Sequence, residues 1–347
     1  MRTVYSRFSI ALVSLFLSHF SFAQNLTVPS EYLGYVNEQC TQITNDMMAY
    51  TSAASHSKNA KKVEKKRFEL MQTLRQSVYN MKKLKPFKGD AALRDSTVAY
   101  FQITAAVLNE DYAKIVNMEE VAEQSYDAME AFMLAKEKAN ERADQAYEIF
   151  DKEFDAFAAK NNIRLIETSS KLSKKMKESS EVFKYYNRIY LIFFKSYKDE
   201  AYWLDALKRS DINALEQTKN ALLASSSDGL KKMSPISTYQ GDKSLKVACE
   251  RMLEFYKLEA TKSSELADFY LKNDNFEKSK KAFELKKQAD RTKQEIDNFN
   301  KLVTEFNNSV NKFNLLNNDL NKKRSEALDV WNKAADNFLD THIPKHR

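Results

Sequence analysis

Residues 296–313 read IDNFNKLVTEFNNSVNKF. The apolar positions Ile296, Phe299, Val303, Phe306, Val310 and Phe313 recur in steps of three and four. That spacing lays one narrow stripe along an α-helix, whereas a half-buried strand alternates with period two. Leu320, Ala327 and Trp331 extend the stripe less regularly. An earlier seam runs through Met129, Phe132, Ala139, Ala143, Phe150, Phe154 and Phe157. Both are 3-4 seams of the coiled-coil kind.

Glycine and proline agree with this reading. The breakers are Gly34, Gly89, Gly229 and Gly241, with Pro29, Pro86, Pro235 and Pro344. Residues 90–228 and 242–343 contain neither type. A sheet protein needs a turn about every 8–12 residues, and these stretches have no such density. The expected class is all-α: bundles of long helices with coiled-coil-like seams. Asp211 reads as an N-cap, and Asp274 with Glu277 as a capping box. Asn161-Asn162 and Asn317-Asn318 read as breaks or distortions.

The chain also echoes itself. YQGDKSLK (239–246) resembles FKGDAALR (87–94), 152 residues away. AFELKK (282–287) resembles AFMLAK (131–136). Both GD pairs follow a basic segment and a proline and precede a new helix. Two duplicated helical units are expected, 24–163 and 164–347.

The first 23 residues have their own logic. Arg2 and Arg7 form a basic start, Ser9 to Phe22 is a short apolar run, and Ser21-Phe22-Ala23 offers a small-residue cleavage site. This is the layout of a secretory signal peptide. No Cys lies near the cleavage point, so no lipid anchor is expected there. No later run approaches the ~20 apolar residues of a spanning helix. Cys40 and Cys249 are the only cysteines. Export would permit a bond between them, and two buried free thiols are the alternative.

Charge is segregated. Residues 58–88 hold eleven Lys/Arg and two Glu, a net of +9; residues 110–155 hold fourteen Asp/Glu and five Lys/Arg, a net of −9. The simplest reading pairs the two segments as neighbours in one bundle. Any basic charge left over would suit an anionic envelope polymer. Export disfavours a nucleic-acid partner.

No catalytic motif is present. The leader aside, the histidines are His56, His342 and His346. None supplies a metal set, and the last two read as a frayed tail. There is no phosphate-binding glycine loop and no nucleophile motif. No cofactor and no enzymatic activity are expected. The remaining candidate is KYYNRIYLIFFKSY (184–197) with Trp203 beyond it. Its spacing makes a helix apolar nearly all round, which suits a bundle centre. Tyr185, Tyr186, Tyr190, Phe194 and Trp203 are nonetheless binding candidates, since Tyr and Trp also serve exposed surfaces. The matching part of the first unit, near NDMMAYTSAASH (45–56), is far less aromatic.

The leader, followed by HSKNAKKVEKKR (56–67), KPFKGD (85–90) and NRIY (187–190), resembles the exported leptospiral-surface-protein-like family of spirochaetes and Bacteroidetes. The resemblance implies an envelope or surface location. It implies no activity and assigns no functional residue. Two functions remain in view. One is a non-enzymatic envelope scaffold or protein-binding module. The other is a soluble periplasmic carrier or chaperone-like protein holding an apolar ligand at the aromatic stretch.

Overall fold

The computed structural model describes residues 26–57, 59–115, 125–165 and 171–346. The expected signal peptide lies outside the described residues. Among them all regular structure is helical, with no strand. Eight α-helices follow one another: α1 Pro29–His56, α2 Ala60–Lys83, α3 Ala92–Ile115, α4 Tyr126–Lys160, α5 Lys171–Lys208, α6 Ile212–Met233, α7 Ser244–Leu285 and α8 Lys293–His342.

The helices pack as two groups of four, each zigzagging between neighbours. In the first, α2 packs on α1 and α3, and α4 packs on α3 and α1. In the second, α6 lies between α5 and α7, and α8 packs mainly on α7. The first group buries Tyr32, Val36, Leu70, Leu74, Phe101 and Phe157 in one cluster. The second buries Ile189, Trp203, Leu222, Leu253, Tyr256 and Phe338 in another. Met129 and Phe132 belong to α4 but sit in the second cluster, so the start of α4 bridges the two groups.

The two GD corners adopt the same turn. Lys88 and Gln240 both have φ +49°, and Gly89 and Gly241 have φ +87° and +89°. Positive φ at both central positions is the pattern of a type I′ turn, and glycine supplies the second at no steric cost. The Asp90 amide donates to Phe87 O at 2.9 Å, and the Asp242 amide to Tyr239 O at 2.8 Å. Asp90 then accepts from the Ala92 amide and Asp242 from the Ser244 amide. Arg94 donates to Leu84 O, and Lys246 donates to Ile236 O. Each aspartate meets a basic residue at the end of its group's fourth helix: Lys160 Nζ lies 2.6 Å from Asp90, and His342 Nε2 lies 2.8 Å from Asp242. Above each turn sits an aromatic triad, Tyr32–Phe87–Phe157 in the first group and Tyr185–Tyr239–Phe338 in the second.

The groups differ in one large respect. Helices α7 and α8 are 42 and 50 residues long, while α6 has 22. At 1.5 Å per residue, α7 is about 63 Å long. The second cluster ends near Tyr270 and Phe313. Beyond it α7 and α8 continue as an antiparallel arm. Phe269, Phe276 and Phe283 stack on Phe313, Phe306 and Phe299 at 4.3, 4.1 and 4.1 Å between ring centroids. Each pair steps one heptad up α7 and one heptad down α8, as a coiled-coil seam requires.

Some boundaries differ from expectation. Asp211 caps α6 by accepting from the Ala214 amide. Asn161-Asn162 ends α4, with Asn162 at φ 56°. Asp274 and Glu277 instead lie inside α7, where Asp274 pairs with Lys278. Their apolar surroundings continue the Phe seam, so the helix runs on. The capping box is at Thr292 and Glu295, at the start of α8. Asn317-Asn318 lies within α8. The C-terminal tail is docked rather than frayed: Ile343 is buried, His56 binds its carbonyl, and the His346 amide donates to Ser52.

Candidate functional site

The five aromatic candidates lie on α5. Phe194 and Trp203 are buried, and the Trp203 indole donates to Ser263 Oγ at 2.7 Å. Tyr186, Tyr190 and Phe194 form a stack along one face. Burial pushes the Tyr186 phenol up to about 12. Tyr185 closes the corner triad and donates its hydroxyl to Ser237 O. Its phenol is likewise raised, first by burial and then by Asp242. The structure therefore divides the five: Phe194 and Trp203 fill the second core, Tyr186 and Tyr190 stack with Phe194 against it, and Tyr185 belongs to the corner triad.

A polar cluster that no motif announced lies in the same core. Glu200 of α5 and Glu259 of α7 are buried, and Arg324 of α8 reaches both. Arg324 Nε donates to Glu200 at 2.6 Å, and Nη2 donates to Glu259. One guanidinium thus serves two carboxyl groups. Burial and the nearby Glu200 charge push the Glu259 carboxyl up to about 9, against the opposing pull of Arg324. Glu259 Oε2 and Tyr256 Oη are buried with no hydrogen-bond partner among the described residues. The Tyr256 phenol is raised well above its ordinary value by burial and by both glutamates. The three charged residues are far apart in sequence, so spacing could not have revealed them.

The cysteines do not pair. Cys40 packs beside the first cluster, and Cys249 is buried in the second. The candidate bond fails because α1 and α7 belong to different cores. Burial pushes both thiols up, that of Cys40 to about 12.

Two shallow hollows lie in the first group. One, of about 230 Å³, opens between α3 and α4 at Ile103 and Ile149; the other, of about 280 Å³, opens between α2 and α3 at Lys82 and Gln102. Neither is lined by the aromatic candidates.

The charge reading needs a correction. Helix α2 packs on α1 and α3, not along α4. The short α2–α3 corner makes those helices neighbours and leaves α2 and α4 on the bundle's diagonal. The ion pairs found on α2 include Lys66–Glu69 and Arg67–Glu64, both within the helix. Lys61, Lys62, Lys65, Arg75, Lys82 and Lys83 are exposed.

The arm presents apolar side chains as well. Leu285 at its tip is 87% exposed, and Leu271 and Ile296 are exposed along it. The seam phenylalanines of α8 were legible in the sequence. Phe269, Phe276 and Phe283 of α7 were missed, although their spacing of seven was a sufficient signal.

No family model, curated protein or solved structure matches the chain. No helix among the described residues is long and apolar enough to cross a membrane.

Proposed function

We propose that this chain is an exported, non-enzymatic protein of the cell envelope or surface that works as a scaffold or protein-binding module. The arm carries the reading. A two-helix seam reaching past the core, with exposed Leu271, Leu285 and Ile296, offers surface to another protein without exposing the core. The secretory leader supports export, and the resemblance to exported leptospiral-surface-protein-like proteins supports an envelope setting. The paired corners and triads support an origin of the two halves by duplication. The carrier alternative has less support, because Phe194 and Trp203 are spent on core packing.

Co-sedimentation tests the proposal. The purified protein, mixed with envelope fragments of its source cell, is expected to sediment with them at low and at moderate salt. Leu285→Lys is expected to weaken that binding several-fold. Absence of sedimentation at both salts would sink the scaffold reading and favour the soluble carrier.

A further inference from the structure

Two exposed faces of the first group carry opposite charge at matching spacing. On α2, Lys61, Lys65, Phe68, Arg75, Tyr79 and Lys82 follow steps of four and three, with Gln72 at the remaining position. All are exposed; Phe68 and Tyr79 are each 52% exposed. On α4, Glu137, Glu141, Asp144, Glu148, Asp151 and Asp155 follow the same steps, and Leu134 continues them. All of these are exposed too, Leu134 at 54%. Residues 61–82 and 134–155 are equally long, about 33 Å of helix at 1.5 Å per residue.

Any surface helix has an outward face at this period, so spacing alone means little. The sorting is what distinguishes these two. The α2 stripe holds four cations and no anion, and the α4 stripe holds six anions and no cation. Lys138 beside Glu141 and Glu69 beside Lys65 flank the stripes without entering them. Like charges along one stripe repel, Glu69 and Lys138 offset that repulsion only at Lys65 and Glu141, and an opposite surface relieves the rest. Within one molecule the stripes cannot meet, because α2 and α4 occupy diagonal corners.

We propose that the α2 stripe of one copy docks along the α4 stripe of a second copy, so that the protein assembles head to tail. The two faces point away from each other, which excludes a closed two-fold pair using both. The contact is heterologous and leaves one free stripe at each end for further copies. Each exposed ion pair contributes only ~0–1 kcal/mol, so the assembly is weak and salt-sensitive. This deepens the scaffold reading. It is tested without envelope material, so its failure leaves the co-sedimentation result standing.

The test is sedimentation velocity of the purified protein at about 100 μM, at roughly 10 mM and 500 mM salt, where screening differs most. Wild type is expected to show at least a twofold rise in weight-average mass at low salt and none at high salt. One variant reverses α2 (Lys61→Glu, Lys65→Glu, Arg75→Glu, Lys82→Glu). Another reverses α4 (Glu137→Lys, Asp144→Lys, Glu148→Lys, Asp155→Lys). Each alone is expected to stay monomeric, and an equal mixture is expected to associate, because each then supplies the stripe the other lacks. The mixture also guards against a variant that merely misfolds. A monomeric wild type at low salt overturns the proposal, as does association that survives in either variant alone, or a mixture that stays monomeric. A monomeric wild type that binds vesicles of acidic phospholipid also overturns it and assigns the α2 stripe to a membrane surface.

Discussion

Glu259 shows what one side chain can impose. It is fully buried, faces Glu200, and shares a single arginine with it. Taking a carboxylate out of water is costly unless it is fully paired, so the protonated form is favoured in the fold. The folded carboxyl keeps its proton up to about 9, while an unfolded glutamate loses it near 4.5. Between those values the folded state binds more protons than the unfolded one. The contribution is therefore fully present below about 4.5 and is lost as pH rises towards 9. Glu259→Gln keeps the site neutral at every pH, and Arg324 retains Glu200. Urea unfolding should find the variant close to wild type near pH 5. Near pH 9 it should be more stable, by on the order of a few kcal/mol. A wild type and variant with parallel pH profiles would show that Glu259 is ionised in the fold.

At the scale of elements, the corners are the clearest link from residues to architecture. F-K-G-D and Y-Q-G-D were recognisable in the sequence because the turn needs glycine at positive φ and an aspartate able to accept from the next helix. A side chain added at Gly89 or Gly241 meets no atom within 4 Å, so its cost is backbone conformation alone. Gly89→Ala and Gly241→Ala are each expected to lose ~1–2 kcal/mol in chemical unfolding. Gly34→Ala, within α1, is expected to be neutral or stabilising by up to ~1 kcal/mol. Unequal losses at the two corners would deny them the same structural role. The capping signals were less legible. Asp211 and Thr292 work as caps because the chain turns there, while Asp274 carries the same local pattern within a continuous helix. A cap is a local hydrogen bond, and the phenylalanine seam across α7 overrides it.

For the whole molecule, the division into two cores has a direct optical signature. Both tryptophans, Trp203 and Trp331, lie in the second cluster. Indole fluorescence therefore reports that core, while far-ultraviolet dichroism reports the helices of both groups. The cores meet mainly through the start of α4 and the end of α1, so they are expected to unfold separately in urea. Fluorescence should give one transition and dichroism two. Phe132→Ala and Met129→Ala remove the bridge, by ~2–5 kcal/mol each, and should widen the gap. Coincident transitions in wild type would show that the junction couples the halves into one cooperative unit.

The sequence by itself determined the helical class, the two corners, the apolar face that α5 turns to the second core and the seam of α8. Each is a local property: spacing along one helix, or the residue types one turn requires. Tertiary structure alone decided that Glu200, Glu259 and Arg324 meet, that Cys40 and Cys249 stay apart, that the tail docks on α1, and that the basic and acidic helices stand on a diagonal. Those outcomes depend on which helices become neighbours. Short corners force consecutive helices together, and that geometry outweighs the long-range attraction of opposite charges that pointed to a different pairing.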